Sequence, residues 1–185
     1  GVMDMCSMLK QNKKAYAIAA GHFSDSDVIK RVCGFVKAAK AVKELGKTKV
    51  ARVGGTFPGM GDFLVPNTEM KERFGVEVNE IAPEYLAGLR EKVTEEEIKA
   101  EIDDNASKYD FADDIVKEEY EEYIKSCLTM RKCLEEGNYN AFTVNFLEVS
   151  GIGAMPFMEA CKGMERGIGY AGEGDVLTAS FVGAL

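Results

Sequence analysis

A chain of 185 residues has room for one domain with a sizeable core, and 46% hydrophobic with 29% charged residues is an ordinary globular balance. The net charge of −8 argues against a nucleic-acid backbone as partner. No apolar run approaches the roughly 20 residues that cross a membrane, and the opening Gly1–Cys6 lacks the plan of a signal peptide. Five cysteines, none in a C-x-x-C pair, and a single histidine, His22, leave no material for a zinc cluster, a disulfide frame or a His-rich metal site. They fit a reduced, cytoplasmic setting.

In chain order, Ala15–Ala20 is short and apolar and reads as a strand or buried segment. Ser24–Asp27 supplies N-cap residues before a long helix whose apolar positions, Val28, Val32, Phe35, Val36, Ala39, Val42 and Leu45, recur every three or four residues. Gly46 stops it. Lys49–Val53 is a short strand, and the Gly54–Phe63 loop leaves its end directly. A helical piece over Asn67–Phe74 precedes an alternating strand, Val76–Ile81. Glu84–Val93 is helical, and Thr94 followed by Glu95, Glu96 and Glu97 starts another helix with an N-cap and an acidic first turn. Ile115–Glu136 is a long helix ended by Gly137, Asn140–Phe146 a third strand, and Phe157–Arg166 a helix. The acidic cluster between Glu91 and Glu122 reads as a solvated face. Strands linked through helices predict an α/β fold with a parallel sheet, Val53, Ile81 and Phe146 lying near strand ends on one edge.

Two glycine-rich stretches are candidates for chemistry. Gly54, Gly55, Gly59 and Gly61 match neither the dinucleotide fingerprint nor a phosphate loop, which weakens a nucleotide-binding oxidoreductase. The stretch is either a flexible cap on the sheet or, through Phe57, Met60 and Phe63, the wall of a small-molecule pocket. Asp62 is a ligand contact or a loop brace. Near the end, Glu173 sits between Gly172 and Gly174 on a bare turn, and Asp175 stands where the last helix begins. The turn is either a plain loop closed by an N-cap or a carboxylate presented to a ligand. Val176–Leu185 is nearly all apolar and stops in mid-pattern, as expected of a piece of a longer protein.

Lys49–Gly55, the Gly59–Phe63 loop, the Asn140–Phe146 strand and above all Gly169–Asp175 with Leu177, Thr178 and Ala179 resemble the L-arabinose isomerase and L-fucose isomerase superfamily, the arabinose branch more closely. The motifs stand in order over Val50–Leu185. The resemblance implies a Rossmann-like parallel sheet flanked by helices, with residues 1–168 in the central domain and 169–185 opening a C-terminal catalytic domain. It implies interconversion of a free aldose and ketose, a pentose or deoxyhexose such as L-arabinose or L-fucose, with manganese or another divalent cation, in a homo-oligomer. By the same match Glu173 is a metal ligand and candidate acid/base, and Met60 and Phe146 line the sugar pocket. A second acidic ligand and two histidines would follow Leu185, so this chain would carry one ligand of about four and be inactive alone. A non-catalytic sugar-binding or regulatory module, with Glu173 bonding a hydroxyl, is the competing reading.

Overall fold

The computed structural model describes every residue, Gly1–Leu185, and the chain divides into two units, Gly1–Lys40 and Ala41–Leu185. The first holds helix α1 (Val2–Gln11) and most of helix α2 (Val28–Leu45). Val28 is its one buried residue, and Ile29, Val32, Phe35 and Val36 stand exposed. The apolar repeat was therefore a sound sign of helix and a poor sign of burial. Ala15–Ala20, expected as a strand or buried segment, is neither: it is exposed, without regular structure. A strand needs a neighbour for its N–H and C=O groups, and residues 1–40 supply none. Its end is held instead by Arg31, whose guanidinium donates to the Ala20 carbonyl at 2.7 Å and to Asp27 at 3.0 Å.

In the second unit, strands β1 (Lys49–Val53), β2 (Glu77–Ile81), β3 (Ala141–Val144) and β4 (Gly169–Gly172) form one wholly parallel sheet in the order β2-β1-β3-β4. Helices α3 (Asn67–Phe74), α4 (Pro83–Glu91), α5 (Glu95–Ala106), α6 (Lys117–Gly137) and α7 (Phe157–Glu165) make the connections, and α8 (Val176–Ala184) follows β4. Right-handed crossovers must change face when the chain reverses direction across a sheet, and the cores obey. Val50, Ala141, Met70 of α3 and Val176 and Ala179 of α8 pack on one face. Ala51, Val53, Phe142 and Val144 meet Leu86 and Leu89 of α4, Met130, Cys133 and Leu134 of α6 and Ala160 of α7 on the other. This is the expected Rossmann-like arrangement, and β3, covered on both sides, is buried at all four positions. No helix is long and apolar enough to cross a membrane.

The reading of Glu91–Glu122 as a solvated face needs one correction. Glu101 of α5 is buried and takes a two-pronged bond from Arg131 of α6, at 2.7 and 2.9 Å, and a third from Lys162 of α7 at 2.6 Å. The Arg131 hydrogen bonds, helped by Lys162 and opposed by burial, hold its carboxyl down at about 2. Arg131 and Arg166 also close on the fully buried Glu159. An acidic run shows its composition in sequence; which member faces inward is set by the helix's rotation. Burial pushes the thiols of Cys127 and Cys133 up to about 11 and about 12, so both behave as apolar packing.

Residues 169–185, expected to open a second domain, add β4 and α8 to this same sheet and core. Gly169–Gly172 had been legible only as part of a glycine-rich turn.

Candidate active site

The order β2-β1-β3-β4 means that the chain leaves β1 in one direction and returns beyond it in the other. The crevice at such a reversal, outside the carboxyl ends of the strands, is where open α/β sheets bind ligands. Here it lies between β1 and β3. The Gly54–Phe63 loop leaves β1, Asn145–Ser150 leaves β3, and the Glu173 turn leaves the adjacent β4.

These three segments are bonded to one another. Asn145, almost fully buried, donates its side-chain amide to the Gly54 carbonyl at 2.9 Å and accepts from the Leu147 N–H at 3.0 Å. Arg52 of β1 reaches Glu80 of β2 at 2.7 Å and Asn67 of α3 at 3.0 Å, with a longer contact to Thr56 in the loop. The Phe57 N–H donates to the Glu173 carbonyl at 2.8 Å, and the Glu173 N–H donates to the Val144 carbonyl at 2.9 Å. The glycine loop is thus fastened at its base, while Pro58–Asp62 stands exposed.

Glu173 itself has φ +64°, the left-handed region that a residue with a Cβ enters at a cost. Its neighbour Gly174, at φ +81°, has a different reason to be glycine: a Cβ there would sit 2.3 Å from the Gly55 carbonyl and 2.6 Å from the Thr56 Cα. Space excludes a side chain at 174, whereas at 173 one is kept despite the backbone. Behind the turn, Asp175 caps α8 by accepting from the Thr178 N–H at 2.9 Å, as its position before the apolar run suggested.

Phe146 stands immediately beyond β3, two-fifths exposed, with its ring against the bare Cα of Gly172. It also faces the Phe157 ring at 6.3 Å between centroids. The fold therefore brings Phe146 and Glu173 to one edge. Met60 lies in the exposed part of the neighbouring loop, connected to Glu173 through the backbone of Phe57 rather than through its own side chain. Asp62 is exposed, and the turns beside it are closed by backbone bonds from Phe63 to Met60 and Leu64 to Gly61. Asn145 and Thr143 went unremarked in the sequence reading. Their signal was available: a polar residue within an otherwise apolar strand, or just past its end, has to bond to something specific once buried.

A divalent cation of the manganese type takes several hard oxygen or nitrogen donors. Glu173 is a donor of the right kind, but nowhere do three His, Cys, Asp or Glu side chains converge as such an ion requires. A cleft of about 360 Å³ between α5, α6 and α7 is lined by Glu101, Asp104, Lys108, Arg131, Lys162 and Arg166. Each of its four cations already has a carboxylate partner.

Residues 49–185 match the family described as the L-arabinose isomerase central domain, which takes in the whole sheet and all three loops of this edge. The chain belongs to that family. Named L-arabinose isomerases are similar along nearly all of the central-domain chain: 28% identity over 168 residues in Shouchella clausii, covering 91% of this chain and 35% of the relative. The Oceanobacillus iheyensis protein is 30% identical over 176 residues, covering 92% and 36%, and that of Shigella flexneri 26% over 175 residues, covering 92% and 35%. The central-domain chain thus spans about a third of the length of these relatives.

Proposed function

We propose that this chain is the central-domain portion of an aldose–ketose isomerase acting on a free pentose or deoxyhexose such as L-arabinose or L-fucose, with Glu173 as the group that works on the sugar. The observation that carries the reading is a carboxylate held in a left-handed turn at the ligand-binding edge of the sheet, beside an exposed aromatic ring. Interconverting the two sugars moves one proton between neighbouring carbons, C2 of the aldose and C1 of the ketose, and one between their oxygens. A carboxylate near those carbons can take the first proton and return it on the adjacent carbon. Phe146 and Met60 would form the apolar wall against which the sugar lies.

Manganese or another divalent cation belongs to the proposal as a group to which Glu173 contributes one oxygen, the other donors coming from outside residues 1–185. By itself this chain would then show no isomerase activity. We place the protein in the cytoplasm, where its five cysteines stay reduced, and as a homo-oligomer, as its family resemblance implies.

The test is Glu173→Gln in the full-length gene product, which keeps the shape of the side chain and removes the proton acceptor. Ketose formation should fall about 10²- to 10⁴-fold, with weaker manganese binding by titration calorimetry. Near-normal turnover in that variant would remove Glu173 from the chemistry. Unchanged sugar binding in a wild-type protein without turnover would favour the non-catalytic module.

A further inference from the structure

Glu173 is held in its left-handed conformation from both sides by one buried hydroxyl. Thr143 of β3 is fully buried, on the face of the sheet that carries α8. Its Oγ1 donates to the carbonyl of Gly172 at 3.1 Å and accepts from the N–H of Gly174 at 3.0 Å. Those two groups immediately flank Glu173 in the chain. The Glu173 N–H and carbonyl are engaged by Val144 and Phe57. Four bonds from β3 and the β1 loop therefore fix this one residue, and only Thr143 does so with a side chain.

We infer that Thr143 is a positioning residue: its hydroxyl clamps the peptides before and after Glu173, and so aims the carboxylate into the crevice at the strand ends. The chemistry favours a hydroxyl and nothing else of that size. It must donate to a carbonyl and accept from an N–H at once, which an amine or a thiol does poorly and a methyl not at all. Without the clamp, a residue with a Cβ at φ +64° would relax toward a commoner backbone conformation and carry its carboxylate away. Neither Thr143 nor its partners would touch the sugar. The inference rests on the proposed role of Glu173, but its first readout does not.

That readout is amide hydrogen exchange over residues 169–178 of the metal-free full-length protein, by mass spectrometry, in wild type, Thr143→Val and Thr143→Ser. Valine matches threonine in shape and lacks the hydroxyl; serine retains it. Thr143→Val should raise exchange in this segment about tenfold or more, since the buried Gly174 N–H loses its partner and the Gly172 carbonyl keeps only the Asp175 N–H, while Thr143→Ser stays close to wild type. In turnover assays Thr143→Val should lower kcat about tenfold or more with KM little changed, weaken the binding of manganese added alone, and be rescued by Thr143→Ser. If Thr143→Val does not fold, Thr143→Cys, a weaker donor, should give intermediate exchange and intermediate kcat.

Wild-type exchange in the valine or cysteine variant would overturn the clamp. Raised exchange with wild-type kcat, in a protein that Glu173→Gln inactivates, would overturn the positioning role. Raised exchange with turnover indifferent to both Thr143→Val and Glu173→Gln would leave the clamp standing and remove the catalytic reading of Glu173.

Discussion

Replacing Glu173 by glycine should make the protein more stable than replacing it by alanine. Both substitutions remove the carboxylate, so their difference isolates the Cβ. At φ +64° that atom costs an L-residue about 1–2 kcal/mol, and glycine pays nothing. Glycine's greater freedom in the unfolded chain returns roughly 0.5–1 kcal/mol. The expected net is about 0.5–1 kcal/mol in favour of Glu173→Gly, seen in urea unfolding at a common m value, or as a melting point about 1–4 °C higher. Gly174→Ala is the matching control. There φ is also positive, but a Cβ would lie 2.3 Å from the Gly55 carbonyl, so backbone must shift and about 2 kcal/mol or more should be lost. If Glu173→Ala proves as stable as Glu173→Gly, the Cβ costs no more than the roughly 0.5–1 kcal/mol of glycine's unfolded-state freedom, below the strain expected of a left-handed residue. Glu173 then keeps its side chain at little backbone cost, and its left-handed φ is no sign of a chemical role.

Arg131→Met should destabilise the protein by up to about 3 kcal/mol at pH 7, because it takes one of two cationic partners from each of the buried carboxylates Glu101 and Glu159, leaving them Lys162 and Arg166; denaturant midpoints would check this. The Glu101 carboxyl is held at about 2, below its ordinary 4.5. Its contribution is therefore fully present above about pH 4.5 and is lost as pH falls through about 2. The gap between wild type and Arg131→Met should accordingly narrow between pH 5 and pH 2, and a gap that stays constant would refute the assignment. Asp175→Ala should cost about 1 kcal/mol through loss of the bond from the Thr178 N–H, read as a lower melting temperature.

Much of the site could be anticipated because its parts are local. Glycines around a carboxylate, an N-cap before an apolar run and a glycine loop directly after a strand are all written within a few residues. Their mutual bonding is not. Thr143 and Gly174 are 31 residues apart and Asn145 and Gly54 are 91 apart. Only the β1–β3–β4 register makes them neighbours.

By itself the sequence determined the elements of the second unit other than β4 to within a few residues, from Lys49–Val53 to α8, and the parallel α/β class. Periodicity, caps and helix-stopping glycines act between residues three or four apart, so they can be read without a fold. Tertiary structure alone decided that Gly169–Gly172 is an edge strand, because a strand so short and glycine-rich exists only through the hydrogen bonds β3 offers it. It also decided that Glu101 turns inward to Arg131 while its acidic neighbours face water, and that Val32, Phe35 and Val36 remain exposed. Burial and pairing are relations between distant segments. No window along the chain contains both partners.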